Sequence, residues 1–149
     1  FVQEHGDEVT FALTADMVGQ DHGMYGHDLF STAESLPLVE GKRMIMGSSA
    51  LRRNQAEVLA AVVKDSSRVI VAGDFNAAPL YRSAAPLRDL LDDAWSAGGW
   101  GFGFTYHASF AFARIDAILQ EGFNCKYAEV VKVSGSDHRG IYAVLELDD

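Results

Sequence analysis

The sequence has one cysteine and no long apolar run. Because Cys125 is alone, a disulfide within the chain is excluded, and a reducing compartment is compatible with this composition. No apolar run approaches the roughly 20 residues of a membrane-spanning helix, and no basic segment precedes an apolar one as in a secretory signal. We expect a soluble protein, cytoplasmic or secreted with any signal removed. Since the sequence begins at Phe1 rather than methionine, we also expect that an original N-terminus was removed.

Positive charge is also scarce. The chain has 12 Lys and Arg against 21 Asp and Glu, which gives a formal net charge of −9. Proteins that bind nucleic acid by neutralising phosphates carry basic surface, so this balance argues against tight non-specific DNA binding. A phosphate substrate is still compatible with the charge if carboxylates hold a divalent metal ion. A local positive patch is compatible too, formed by Arg52, Arg53, Arg82 and Arg88.

The 149 residues, 48% of them hydrophobic and 22% charged, are typical of one globular domain with a substantial core. Hydrophobic periodicity predicts helices alternating with strands, which is an α/β arrangement. The predicted helices are Ala50 to Lys64, with Ser48 or Ser49 as N-cap, and Leu87 to Trp95. The predicted strands are Arg43 to Met46, Val69 to Ala72, Phe104 to Tyr106, Arg114 to Gln120, Tyr127 to Val133 and Ile141 to Leu147, and Val9 to Leu13 fits a strand or a helix.

The most informative stretch, Arg68 to Pro79, reads RVIVAGDFNAAP. Its apolar run predicts a strand buried on both faces, and Asp74 and Asn76 follow where that strand ends. A carboxylate and an amide on a loop held by a rigid strand are well placed for catalysis. The alternative is structural, because Gly, Asp and Asn are also common turn residues after any strand.

Two more polar clusters accompany predicted strands. Asp116 lies in RIDAILQ, and Asp137 and His138 lie in SDH before the last strand. Asp116 could also be a buried partner of Arg114. We interpret His22 and His27 as solvated loop histidines, because their spacing fits no common metal-ligand pattern.

The order GDFN, RID and SDH resembles the endonuclease/exonuclease/phosphatase superfamily over about Ala50 to Leu147. The resemblance implies a DNase-I-like α/β sandwich of mixed, largely antiparallel sheets flanked by helices, with an N-terminal part that is truncated or divergent here. It implies one domain over residues 1–149, incomplete at its N-terminus. It also implies hydrolysis of phosphate esters with Mg²⁺ or Mn²⁺, the substrate being nucleic acid, a phospholipid head group or a small phosphate ester.

The resemblance assigns roles to individual residues. Asp74 would position and polarise the attacking water, and Asn76 would donate a hydrogen bond to the phosphoryl oxygen. Asp116 would orient His138 and favour its protonated form, so that His138 contacts the scissile phosphate. Asp137 would be a metal ligand, since hard oxygen ligands suit magnesium.

The N-terminal third departs from the family pattern. Glu4 in FVQEH takes the place of the family's glutamate metal ligand, but the asparagine of an early strand has no counterpart. The family's histidine-bearing strand before the helix would correspond to Met44–Ser49, which has no histidine, or His27 would supply that histidine. These departures imply that a second subunit could supply a missing strand. They also leave an alternative function, a catalytically impaired family member that acts as a binding or scaffolding module.

An aromatic stretch lies between the first and second polar clusters, after Asn76 and before Asp116. It could stack a base or meet lipid, but packing in the core and among loops is the interpretation that we favour. The aromatic residues are Trp100, Phe102, Phe104, Tyr106, Phe110 and Phe112.

Overall fold

The computed structural model describes residues 11–16, 38–78 and 80–148, and in 11–16 and 38–48 it describes the backbone alone. Glu4, His22 and His27 lie outside the described residues. The helices are α1 (Leu38–Val63), α2 (Ala85–Arg88) and α3 (Ala94–Gly98). The strands are β1 (Phe11–Asp16), β2 (Val69–Asp74), β3 (Asp92–Asp93), β4 (Asp116–Glu121), β5 (Phe123–Lys132) and β6 (Arg139–Leu147).

The described strands form two sheets. A four-stranded sheet has the order β1-β2-β4-β3, in which β1 is parallel to β2 and the other pairs are antiparallel. A two-stranded antiparallel sheet consists of β5 and β6. The predicted second subunit that supplies a strand stays a prediction.

Alternation along β2 and β4 gives the four-stranded sheet two apolar faces. On one face, Val69 and Val71 of β2 and Leu119 of β4 join a buried cluster with α1. On the other face, Ile118 packs against a second cluster, built from Trp95 and the inner side of β5 and β6. The described chain therefore has three layers, a helix, a sheet and a second sheet, and β2 is apolar on both sides as its composition predicts.

Small side chains form much of the face that α1 presents to the sheet. Ala56, Ala60 and Val63 are buried, whereas Val58 and Val62 are 65% and 55% exposed. The three buried side chains are spaced i, i+4 and i+7, the spacing of one helical face. They join the buried cluster with β2 and β4, and Leu59 packs against that cluster.

Two helix predictions need correction at their ends. Helix α1 begins at Leu38, so the strand predicted over Arg43 to Met46 and the N-cap at Ser48 or Ser49 are wrong. Lysine, arginine and methionine in this stretch are good helix formers, which favours continuation of the helix. The helix predicted over Leu87 to Trp95 is also wrong, because α2 ends at Arg88 and β3 intervenes before α3.

Most of the remaining strand predictions agree with the structure. The strands predicted over Val69 to Ala72, Arg114 to Gln120, Tyr127 to Val133 and Ile141 to Leu147 are confirmed with shifted ends. Of Phe104 to Tyr106, only Tyr106 forms bridges, with Ala113 and with His138. Among the described residues, no helix combines the length and apolarity needed to cross a membrane.

Candidate active site

The candidate site lies at one edge of the four-stranded sheet. Asp74 is the last residue of β2 and Asp116 is the first of β4, and the antiparallel register places them opposite each other. Neighbours in register share a face of the sheet. That face also carries Ile118, which packs toward the second sheet, so both carboxylates lie where the two sheets meet.

The loop after β2 is held in a specific conformation. Phe75 is only 2% exposed, and its N–H donates to the Ile115 carbonyl at 2.9 Å. Asn76 has a φ of 47°, in the left-handed region that asparagine tolerates better than most residues. Its backbone N–H donates to Asp74 Oδ1 at 2.7 Å and its Nδ2 donates to Asp74 Oδ2 at 3.1 Å. The turn interpretation and the catalytic one are thus compatible, because the turn itself fixes both side chains.

Asp116 and His138 form a pair across the two sheets. His138 Nδ1 lies 2.9 Å from Asp116 Oδ2, and the two side chains are 25% and 20% exposed. Burial alone would lower the pKa of His138, but the hydrogen bond to Asp116 and the charges of Asp116, Asp74 and Asp137 outweigh it and raise that pKa. The imidazolium form is therefore favoured, with Nδ1 held by Asp116.

The alternative partner proposed for Asp116 is wrong. Arg114 instead makes two parallel hydrogen bonds with Asp93, from Nη1 to Oδ1 at 2.8 Å and from Nη2 to Oδ2 at 2.7 Å. Both side chains are largely buried, at 12% and 9% exposure. Burial would raise the pKa of Asp93, but Arg114, Ser96 and the Trp95 N–H together lower it.

Two residues that sequence reasoning did not assign to the site support it. Thr105 is fully buried, and its Oγ1 accepts hydrogen bonds from the N–H groups of Ile115 and Asp116 at 3.2 and 3.3 Å. Tyr106 places its ring centroid 5.0 Å from that of His138. Burial and the nearby charge of Asp137 raise the pKa of Tyr106. In the sequence, Tyr106 stands out only as part of a short predicted strand and of the aromatic stretch. The bridge that places it opposite His138 is visible only in the structure.

Asp137 lies beside this group, with an exposed side chain. Its backbone carbonyl accepts a hydrogen bond from Ala108 N–H at 2.6 Å. The structure therefore brings together Asp74, Asn76, Asp116 and His138, with Asp137 adjacent. Glu4, the other predicted metal ligand, lies outside the described residues.

The donor set suits a divalent cation. Ligand atoms of Asp74, Asp116 and His138 lie within 4.8 Å of one another. Carboxylate oxygens are the ligands that Mg²⁺ prefers, and Asp137 adds another carboxylate at the next position in the chain. His138 Nδ1 is already engaged by Asp116, which leaves the carboxylates as the groups that would contact the metal.

Most of the aromatic stretch does not pack in the core, contrary to the interpretation that we favoured. Trp100 is 94% exposed, and Phe102 and Phe110 are each 81% exposed. Phe102 stacks on Phe104 with centroids 5.1 Å apart, and Phe112 meets Tyr106 edge to face at 5.7 Å. Several large rings therefore lie at the surface, and one of them, Phe112, contacts the ring of Tyr106, which in turn lies beside His138.

Comparisons with solved structures give the fold. The chain is similar to an endonuclease/exonuclease/phosphatase from Bacteroides vulgatus, with 23% identity and a TM-score of 0.58 over 67% of this chain and 45% of that one. It is also similar to a mannosyl-6-phosphatase of Bacteroides thetaiotaomicron, with 20% identity and a TM-score of 0.55 over 66% and 46%. Danio rerio TDP2, solved with a single-strand DNA product, matches with 21% identity and a TM-score of 0.53 over 66% and 50%.

This chain spans about half the length of the solved structures that it matches. None of the curated proteins compared shows a significant match. The mixed sheets with flanking helices are those of the DNase-I-like fold. The sequence profile of the Endonuclease/Exonuclease/phosphatase family matches residues 37–138, more than half of the chain. The chain therefore belongs to the endonuclease/exonuclease/phosphatase family.

Proposed function

We propose that residues 1–149 belong to one domain that hydrolyses phosphate esters with a divalent metal ion, Mg²⁺ or Mn²⁺. The observation that carries the proposal is the Asp116–His138 pair, which faces the linked Asp74 and Asn76 across the junction of the sheets. When water attacks a phosphate ester, a carboxylate can accept the proton of the water. An oriented imidazolium and an amide can stabilise the negative charge that develops on the phosphate.

In the proposed reaction, Asp74 acts on the attacking water and Asn76 acts on the phosphate. Asp74 binds the attacking water and accepts its proton while the new oxygen–phosphorus bond forms. The ester bond to phosphorus breaks, and the leaving oxygen departs with the bonding electrons and takes up a proton from solvent. Asn76 has two Nδ2 hydrogens, and one of them is directed at Asp74. On substrate binding, Nδ2 of Asn76 would donate to a phosphoryl oxygen, where negative charge increases in the transition state. A donor fixed in advance at that position stabilises the transition state more than the substrate.

Among Asp74, Asn76, Asp116, Asp137 and His138, only His138 can carry a positive charge. Asp116 holds Nδ1, so Nε2 is the nitrogen that donates to the scissile phosphate. Against the effect of burial, the hydrogen bond to Asp116 and the nearby carboxylates raise the pKa of His138 and so favour the charged ring, and the Asp116 carboxylate fixes its direction. Asp116 is thus a positioning residue, while His138 touches the substrate.

Three carboxylates lie close to the place that the phosphate would occupy, those of Asp74, Asp116 and Asp137. One protonated histidine does not balance them, so an anionic substrate needs further positive charge. Asp137, together with Glu4, would hold the divalent ion, and Asp74 is close enough to contribute. A bound Mg²⁺ or Mn²⁺ supplies positive charge and Lewis acidity toward the phosphoryl oxygens.

The test is hydrolysis of bis-p-nitrophenyl phosphate with Mg²⁺ or Mn²⁺ and then with EDTA. We expect metal-dependent turnover that falls at least about a hundredfold in His138→Ala and in Asp74→Asn, the usual effect of losing an acid–base group. Asp89→Asn is the matched control for Asp74→Asn, since the side chain of Asp89 is 73% exposed and lies 3.9 Å from Arg88. Turnover that survives both site substitutions would refute the mechanism. No turnover with any metal would favour the impaired binding module.

A further inference from the structure

The residues from Ala94 to Ala113 include no Asp, Glu, Lys or Arg, although 22% of the chain is charged. The same stretch contains seven aromatic residues, two of them tryptophan. We call residues 100–113 the aromatic loop. Trp100, Phe102 and Phe110 are more than four-fifths exposed and Phe112 is 45% exposed. Large apolar rings concentrated on an uncharged surface loop are typical of an interaction site.

The aromatic loop is fastened to the strand that carries His138. Arg139 N–H donates to the Thr105 carbonyl at 2.7 Å, and Arg139 Nε donates to the Ala108 carbonyl at 2.9 Å. The ring of Tyr106 lies 5.7 Å from that of Phe112 and 5.0 Å from that of His138, measured between centroids. Phe112 of the aromatic loop is therefore linked to His138 through one ring.

Charge decides which partner fits. Single-stranded nucleic acid binds to aromatic platforms that are combined with a positively charged groove, and the aromatic loop has no lysine or arginine. Two arginines of the predicted positive patch are paired, Arg53 with Glu57 and Arg88 with Asp89. A net charge of −9 also disfavours an anionic lipid surface. Tryptophan and phenylalanine on an uncharged loop instead suit the interface of an electrically neutral bilayer.

We propose that the aromatic loop docks on a bilayer of zwitterionic phospholipid and inserts Trp100 and Phe110 at the head-group level. Docking would bring the phosphodiester of a lipid head group to His138. This last step rests on the proposed function, whereas docking itself needs neither metal nor hydrolysis.

Trp100 supplies the probe for the test. Trp95, the other tryptophan, is 8% exposed and donates from Nε1 to the Gly101 carbonyl. A blue shift of the emission on adding phosphatidylcholine vesicles in EDTA therefore reports Trp100, and Trp100→Phe should abolish the shift. Flotation with the same vesicles measures the bound fraction. We expect binding that is insensitive to salt, because no charges meet.

Matched variants separate docking from other effects. The double variant Trp100→Ser, Phe110→Ser should bind the vesicles at least about tenfold more weakly, since two buried rings are lost. Tyr142→Ser, which removes a 51% exposed ring from β6, should bind as the wild type does. His138→Ala should also bind as the wild type does, so loss of the proposed hydrolysis would leave docking intact.

Several outcomes would overturn the proposal. One is absence of binding to phosphatidylcholine, and another is equal binding by the double variant. A third is Trp100 emission that is already blue-shifted without vesicles, which would mean that another part of the chain or a second copy covers the loop. A fourth is binding of a single-stranded oligonucleotide, but not of vesicles, through the same rings.

Discussion

The hydroxyl of Thr105 is the least exposed polar group that supports the candidate site. It accepts hydrogen bonds from two backbone N–H groups, those of Ile115 and Asp116. Thr105→Val keeps the shape but leaves both donors without this acceptor, which should lower the free energy of unfolding by about 1–3 kcal/mol. Urea denaturation measures that loss, and the kcat for bis-p-nitrophenyl phosphate should fall with it because Asp116 is displaced.

Thr105→Ser is the matched control, because it keeps the acceptor and removes one methyl group. That loss costs about 1 kcal/mol, so we expect the serine variant to be more stable than the valine variant and to retain turnover. If valine proved the better replacement, the hydrogen bonds would not be what matters at this position.

Individual site residues could be predicted to different degrees. The GDFN, RID and SDH motifs led to Asp74, Asn76, Asp116 and His138, and the structure brings these four together. The contacts of Arg114 were not predictable, since its partner Asp93 precedes it by 21 residues in a stretch that was interpreted as helix. A pairing over that distance depends on where β3 meets β4, and the local sequence does not encode it.

The two-residue strand β3 pairs with β4 and is also held by an ion pair. Asp93 of β3 accepts from Arg114 and also from the N–H of Trp95, so it anchors β3 and caps α3 at once. Asp93→Asn removes the negative partner of a buried guanidinium. We expect a loss of about 3 kcal/mol in unfolding free energy at pH 7, as for other broken buried pairs.

The pH dependence of this loss has a definite sign. The pKa of Asp93 is lowered in the folded protein, so the unfolded chain takes up the proton first as the pH falls. The carboxylate stabilises the fold above the unfolded pKa of about 3.9, and this contribution disappears as the pH falls through the lower folded value. Urea unfolding of wild type and variant should therefore differ at pH 7, and the difference should shrink as the pH falls below about 3.9.

Asp89→Asn is the control for Asp93, because Asp89 is 73% exposed and lies 3.9 Å from Arg88. An exposed pair of this kind contributes less than about 1 kcal/mol, so that variant should resemble the wild type at every pH. An Asp93→Asn variant as stable as Asp89→Asn at pH 7 would show that the buried pair does not stabilise β3.

The turn between β4 and β5 requires glycine for two reasons. Gly122 has a φ of +77°, and a Cβ there would lie 2.2 Å from the Ser67 carbonyl oxygen. Gly101 has a similar φ of +80° with open space around it. Gly101→Ala should cost about 1 kcal/mol for the backbone conformation alone, and Gly122→Ala should cost about 1–3 kcal/mol more for the clash. Thermal unfolding of both variants would separate the two contributions, and equal losses would contradict the steric one.

Strands were easier to predict than helix ends. A buried strand such as β2 is marked by a short β-branched run closed by Gly73 and Asp74, and these local signals agree with the sheet. Helix α1 continues through Gly41 and Gly47, where local signals favour a break. The contacts that stabilise a helix are largely tertiary. The start of α1 at Leu38 could therefore not be predicted from the local sequence.

The candidate site lies where the two sheets meet, and several acidic side chains lie there. The sheets converge where β2 ends and where β4 and β6 begin, which places three carboxylates from separate strands or loops close together. In a chain with a net charge of −9, this concentration destabilises the fold through mutual repulsion. Cations should therefore stabilise the protein in two ways, by general screening and by binding at the site.

Thermal unfolding separates the two effects. NaCl and MgCl₂ at equal ionic strength screen alike, so any additional rise in Tm with Mg²⁺ reports specific binding. At a hundred times the dissociation constant, binding to the folded state adds about 2.7 kcal/mol, which corresponds to a rise of several degrees for a domain of this size. Asp137→Asn should abolish the additional rise, whereas Asp148→Asn, an equal change of charge beyond the end of β6, should preserve it. Equal effects of the two salts on the wild type would mean that the described carboxylates do not hold a divalent ion.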